Sequence, residues 1–249
     1  FVVMPSDYII ENEELFVETV QSAFEYVENN DVLLTLGVAP TRPDTNYGYA
    51  QVCGGREALK NNTPAQVKTF TEKPDKDLAK IFLASGEFLW NAGIFLWKAK
   101  VIKEEMEKHL PQVTGLFSGW EHVLGTELEH EFVTKAFSDC MNISLAFGVM
   151  EKTDRAWIYP VGFDWQDVGT WESLYNYMTD RDLHGNASSA EKVLAENSKD
   201  LLVISPKKKK LVAVSGLEDY VVIDTDDVLL ICPKDDKKFK DFISAIGMP

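Results

Sequence analysis

The stretch LWNAGIFLWKA at residues 89–99 is apolar on both of its sides, with a single amide, Asn91, set into it. A strand with two apolar faces is stable only in a sheet that is covered on both sides, so helices packed on a sheet are the expected architecture. The neighbouring segments agree. EELFVETVQSAFEYVENN reads as a helix with Phe16, Val20, Ala23, Phe24 and Val27 on one face. DVLLTLGV at 31–38 reads as a buried strand, AQVKTFTEKPD at 65–75 as a strand ending in a turn, and DKDLAKIFLASGE as a short amphipathic helix stopped near Gly86. From 100 to about 150 the pattern is helical, followed by a strand AWIYPVGF, the tight DWQDVGTW and a helix ESLYNYM. Strands alternating with helices over residues 1–181 predict an α/β layered domain.

The first seven residues, FVVMPSD, place Phe1, Val2 and Val3 in what reads as a buried strand, punctuated by Pro-Ser-Asp. A domain seldom opens inside a core strand, so further strand-bearing units are expected to precede it. Beyond residue 181 the texture changes. Short β-branched runs separated by Asn, Ser, Gly and Asp predict a small β-rich domain over 182–249, ended by a helical tail KKFKDFISAI. The run Lys207 to Lys210 between LLVIS and LVAVS reads as a solvated hairpin turn, with an anion patch as the alternative.

Composition narrows the partners. With 45% hydrophobic and 26% charged residues and no apolar run of membrane-spanning length, the chain reads as soluble and cytoplasmic, with no membrane partner. Cys53, Cys140 and Cys232 are odd in number and far apart, which suggests neither a disulfide framework nor a zinc site. A formal charge of −15 argues against nucleic acid. Any phosphate-bearing ligand would need a few placed lysines, a metal, or residues on a preceding segment.

There is no G-x-S-x-G, P-loop or H-E-x-x-H, and His109, His122, His130 and His184 lack ligand spacing. What remains is a set of polar clusters at the ends of predicted strands, where function gathers in α/β sheets. Asp7 and Asp167 are carboxylates of the kind Mg²⁺ prefers, although each also reads as the cap of a following helix. Glu72 and Lys73 offer an acceptor and a cation on one turn, or an exposed turn pair. Gly48 permits close approach of a ligand, or forms a type II turn. Asn91 needs hydrogen-bond partners, from a ligand hydroxyl or from a neighbouring backbone.

In this order, MPSD, NYGY, FTEKPD, WNAGIFLW and DWQDVGTW resemble the sugar-1-phosphate nucleotidylyltransferases. DVGTW together with the tail LVAVSGLEDYVVIDTDDVLLI is most similar to the mannose-1-phosphate guanylyltransferase branch of that family. The resemblance implies a Rossmann-like catalytic domain whose C-terminal part is residues 1–181, and a small β-helix-like domain over 182–249. It implies transfer of a guanylyl group from GTP to mannose 1-phosphate, giving GDP-mannose and pyrophosphate. By position, Asp7 and Asp167 would hold Mg²⁺, Glu72 and Asn91 would read the sugar hydroxyls, Lys73 would contact the sugar phosphate, and Gly48 would pack against the sugar. Two departures stand out. Tyr8 follows the first Asp where the family usually has His, and the glycine-rich G-x-G-T-R-type loop that grips the nucleotide is not in these 249 residues. That loop is expected before Phe1, and the chain alone is expected to be inactive. The competing readings are a nucleotidylyltransferase for another sugar 1-phosphate and a non-catalytic sugar-phosphate-binding subunit. The oligomeric state stays open, with the β-rich tail as the candidate contact of a homo-oligomer.

Overall fold

The computed structural model describes residues 1–60, 63–206, 209–234, Phe239 and Phe242. In chain order the elements begin with β1 (Val2–Val3), β2 (Tyr8–Ile10), α1 (Glu13–Asn29), β3 (Leu33–Val38), β4 (Gly48–Val52), α2 (Gly55–Leu59), β5 (Ala65–Thr71), α3 (Lys76–Ser85) and β6 (Phe88–Leu96). They continue through α4 (Ala99–His109), α5 (Pro111–Thr114), α6 (Glu129–Asp139), a π-helical turn Ala146–Met150, β7 (Ala156–Pro160), β8 (Trp165–Asp167) and α7 (Trp171–Tyr177). The last strands are β9 (Ala187–Ser188), β10 (Lys192–Glu196), β11 (Leu202–Ile204), β12 (Leu211–Ser215), β13 (Tyr220–Asp224) and β14 (Leu229–Pro233). Two compact units result. One holds residues 1–6 and 10–165, the other residues 7–9 and 166–249. The expected division at 181 followed the change of sequence texture, whereas these units follow packing. None of the described helices is long and apolar enough to cross a membrane.

The larger unit is built on one sheet in the order β1-β6-β3-β7-β5-β4, with β6 also pairing to β4. Of its pairings only β3 with β7 is parallel, so the sheet is mixed rather than mostly parallel. Strand β6 is central, as its two apolar faces predict. Its first half pairs with β4 and its second half with β3 and β1. In β3, Leu33, Leu34 and Leu36 have no exposed surface, which stabilises the unit by about 1.5–3 kcal/mol per side chain. Helix α3 runs from its Asp75 cap, whose carboxylate accepts from the Asp77 and Leu78 backbone, to Gly86 in the left-handed region at φ 66°.

Two expectations for this unit need correction. Helix α1 buries Thr19, Ala23 and Val27, four residues apart, while Phe24 faces solvent; the Thr19 hydroxyl is tolerated because it donates to the Leu15 carbonyl at 2.7 Å. Val2 and Val3 do form a strand, with Phe1 just outside it, but all three are exposed, because among the described residues β1 has a neighbour on one side only.

In the second unit β9, β11 and β13 pair in parallel, β10 pairs in parallel with β12, and β14 closes antiparallel on β13. Parallel neighbours about one coil apart require the chain to wind, and the bends fall where Asn197, Asp200 and Asp219 take positive φ of 48°, 54° and 58°. Asn186 is buried inside the coil. It donates to the Asp182 carboxylate and the Ser198 carbonyl and accepts from the Leu201 N–H. The strands flanking Lys207–Lys210 therefore do not form a hairpin. Strand β11 pairs with β9 and β13, and β12 with β10. Lys207 and Lys208 lie outside the described residues, as does most of the KKFKDFISAI tail. Lys210 is not part of an anion patch, for it pairs with the buried Asp224 carboxylate at 2.8 Å.

At Gly37 in β3 a Cβ would sit 2.5 Å from Ile158 Cδ1 and Cγ1 and 2.8 Å from Leu89 Cδ1. Ile158 is fully buried and cannot swing away. Gly37→Ala is expected to destabilise the protein by about 1–3 kcal/mol, read as a lower midpoint in urea or thermal melting. An unchanged midpoint would mean the Ile158 and Leu89 side chains relax freely.

Candidate functional site

Strand β6 carries Asn91 opposite a glycine on each side, Gly37 in β3 and Gly48 in β4. Neither neighbouring strand sets a side chain of its own directly opposite the amide, so the space beside it is open to groups from elsewhere in the unit. The Asn91 carbonyl Oδ1 accepts from the Thr35 hydroxyl at 2.6 Å and from the Gly93 N–H at 3.0 Å. Its NH₂ group donates to none of the described residues. Gly48 begins β4 and is not in a type II turn, so its lack of a side chain serves space rather than a positive φ.

That space is filled by Glu72. A Cβ on Gly48 would lie 2.5 Å from Glu72 Oε2 and 3.2 Å from the Phe70 ring. The Glu72 carboxylate and the Asn91 amide thus flank the same glycine. Burial pushes the Glu72 carboxyl above the usual carboxylate range, Lys73 draws it down, and Glu151 raises it further. The Glu72 N–H donates to Glu151 Oε1 at 3.1 Å. Lys73, next along, is exposed and held at φ 47°, a left-handed conformation that costs a lysine about 1–3 kcal/mol. It makes no ion pair with the described residues. The pair is therefore one half-buried acid and one strained, solvent-facing cation, not a simple exposed turn.

On the opposite face of β6, Trp90 packs against Tyr47 at 5.1 Å and Tyr49 at 6.5 Å, and the Arg42 guanidinium lies 5.1 Å over its ring. Arg42 also pairs with Asp44 at 2.7 Å, and the Tyr49 hydroxyl donates to the Asp44 carbonyl at 2.8 Å. This holds the loop that leads into Gly48.

In the second unit Asp7 and Asp167 converge. The Val168 N–H donates to the Asp7 backbone carbonyl at 3.0 Å, and the Gly169 N–H donates to Asp167 Oδ1 at 2.8 Å. A Cβ on Gly169 would strike Asp7 Oδ2 and come within 3.0 Å of Asp167 Oδ1. Both carboxylates therefore close on one bare Cα. Neither caps a helix: Asn12 caps α1, and Thr170 caps α7 through a reciprocal box with Ser173. Among the described residues no group of three or more His, Cys, Asp or Glu is placed to hold a metal. Two converging carboxylates still suit Mg²⁺, which takes one or two protein carboxylates and fills its other positions with water and phosphate oxygens.

The structure therefore gathers Gly48, Glu72, Lys73 and Asn91 in the larger unit, and Asp7 with Asp167 in the other. Sequence reasoning missed Thr35 and Glu151. Thr35 had a signal, as the one hydroxyl in the apolar run VLLTLGV, whereas Glu151 had none.

Comparison with known proteins follows these groups of residues. The sequence pattern of the nucleotidyl transferases matches residues 1–182, and that of the MannoseP isomerase/GMP-like β-helix domain matches residues 192–242. The mannose-1-phosphate guanylyltransferase of Klebsiella pneumoniae is 34% identical over 232 residues, which are 92% of this chain and 48% of that protein. The xanthan biosynthesis protein XanB of Xanthomonas campestris (strain B100) is 34% identical over 249 residues, 98% of this chain and 50% of XanB. The chain spans about half the length of the curated relatives it matches. Among solved structures, mannose-1-phosphate geranyltransferase from Thermus thermophilus superposes with a TM-score of 0.75 at 27% identity, covering 98% of this chain and 69% of that one. With the match running over residues 1–182, the chain belongs to the nucleotidyl transferase family.

Proposed function

We propose that the protein transfers a guanylyl group from GTP to mannose 1-phosphate, yielding GDP-mannose and pyrophosphate. The observation that carries this reading is the grouping at Gly48, where a donor, Asn91, and an acceptor, Glu72, flank the same glycine. A donor and an acceptor so placed suit neighbouring hydroxyls of a sugar. The names of the relatives supply the sugar and the nucleotide. In the reaction an oxygen of the sugar phosphate forms a bond to the α-phosphorus of GTP while the bond from that phosphorus to the bridging oxygen breaks, and pyrophosphate leaves with the electron pair. Little covalent work falls to the protein, so its residues act by positioning and by balancing charge.

Asn91 and Glu72 hold the sugar ring, Gly48 lets it approach the backbone, and Lys73 holds the phosphate oxygens. Asp7 and Asp167 would hold Mg²⁺, which when bound offsets negative charge on phosphoryl oxygens. Cys53 and Cys140 form no disulfide among the described residues, in keeping with a reducing, cytoplasmic setting. The decisive measurement is pyrophosphate release by the protein as its gene encodes it, over a panel of nucleoside triphosphates and sugar 1-phosphates. Release with GTP and mannose 1-phosphate is expected. Release only with another pair would replace the substrates and keep the class, and binding of sugar phosphate without any release would make it a binding subunit.

Two substitutions sharpen the reading. Gly169→Ala puts a methyl group against both carboxylates, so the Mg²⁺ concentration for half-maximal rate is expected to rise roughly tenfold or more while sugar-phosphate affinity is unchanged. Equal Mg²⁺ dependence in the two proteins would remove Asp7 and Asp167 as ligands. The second test concerns pH. Glu72 accepts more strongly from a hydroxyl when ionised, and its carboxyl titrates above the usual range, so KM for mannose 1-phosphate is expected to rise on acidification before ordinary carboxylates titrate. In Glu72→Gln that rise should vanish, the titration of the ligand's own phosphate being common to both proteins. A parallel pH profile in both would take Glu72 out of the sugar contact.

A further inference from the structure

We infer that Thr35 is a positioning residue that anchors the Asn91 amide in place to donate toward the bound sugar. The inference rests on the reading of Asn91 given under Proposed function. Thr35 has no exposed surface and sits in β3 among Leu33, Leu34 and Leu36. A hydroxyl buried there is costly unless it is bonded. Its Oγ1 lies 3.1 Å from the Ile94 carbonyl oxygen and closer, at 2.6 Å, to Asn91 Oδ1.

The Gly93 N–H donates to the same Oδ1 at 3.0 Å. Both lone pairs of that oxygen are then used, one by each donor. Turning the Asn91 amide over would set its NH₂ against the Gly93 N–H, donor against donor, whereas the Thr35 hydroxyl could still accept from the NH₂ and donate to the Ile94 carbonyl, so Gly93 sets which way the amide faces and Thr35 anchors it. The amide is thereby held with Nδ2 outward, and its two hydrogens meet no acceptor among the described residues. A sugar hydroxyl that accepts from Asn91 keeps its own proton, and the ionised Glu72 beyond Gly48 can take that one. Thr35 thus holds the Asn91 amide in place, and the Gly93 N–H sets its direction, without either touching the ligand.

Thr35→Val keeps the shape and removes the hydroxyl. By calorimetric titration and steady-state kinetics, it is expected to weaken mannose 1-phosphate, in both Kd and KM, roughly five- to tenfold. KM for GTP should stay as it was, and Thr35→Ser should restore sugar-phosphate affinity to within about twofold of the parent. A Thr35→Val protein that binds mannose 1-phosphate as tightly as the parent, or loses GTP affinity to the same degree, overturns the inference. If the parent protein itself fails to bind mannose 1-phosphate, the functional reading fails separately. The Thr35–Asn91 link is then read by NMR without ligand, where Thr35→Val should shift the side-chain amide signals of Asn91, and unshifted signals overturn it. Should Thr35→Val not fold, the parent serves. Its Thr35 hydroxyl proton should exchange slowly and show a nuclear Overhauser contact to the Asn91 side chain, and a fast-exchanging hydroxyl overturns the link.

Discussion

At Trp90 and Asn91 strand β6 is hydrogen-bonded to two neighbours at once, to β3 through Val38 and Gly37 and to β4 through Tyr49 and Gly48. Side chains alternate across a sheet, so this single junction sends an indole to one face and an amide to the other. A slip of one residue would exchange them, burying the amide among Tyr47, Tyr49 and Phe82 and exposing the indole. The register is held by the fit of Trp90 into that aromatic group, where Arg42 covers its ring. The placement of Asn91 is therefore a consequence of packing on the face where no ligand is proposed to bind.

Absent side chains do as much to shape both polar groups as present ones. Gly48 leaves the room that Glu72 occupies, and Gly169 leaves the room into which Asp7 and Asp167 converge. In each case a carboxylate stands where a Cβ would be, which fixes its position more tightly than a surface rotamer would. The strained backbone of Lys73 belongs to the same economy of space. Its neighbour Glu72 is pinned at the carboxylate by burial and at the N–H by Glu151, and the turn that satisfies both leaves Lys73 in the left-handed region.

Much of the fold was legible because it follows from patterns with a local cause. The two apolar faces of β6, the amphipathic pattern and Gly86 stop of α3, and the β-branched runs after residue 181 all formed the elements their patterns demand. What was not legible depended on tertiary partners. Nothing in LLVIS and LVAVS tells a hairpin from two rungs of a coil, since both place an apolar run, a polar turn and an apolar run in order; the difference is which distant strand each one meets. The site residues divide in the same way. Asn91 stood out because an amide in an apolar strand has to find partners, and it found Thr35 and Gly93. Asp7 and Asp167 were equally good as caps on sequence grounds, until Asn12 and Thr170 were seen to fill those positions.

The acidity of the chain, −15 in all, looks unsuited to phosphate ligands, yet the balance that matters is local. Several cations are committed to internal acids: Arg42 to Asp44, Lys98 to Asp31, Arg155 to Glu104 and Lys210 to Asp224. Lys73, with no ion pair among the described residues, remains beside Glu72. At physiological salt, charges beyond about 8 Å are largely screened, so a phosphate seated against Lys73 responds to that lysine far more than to distant surface carboxylates. Under the proposed function, an acidic chain can hold a sugar phosphate if hydroxyl contacts set where the phosphate lies and Lys73 meets it there.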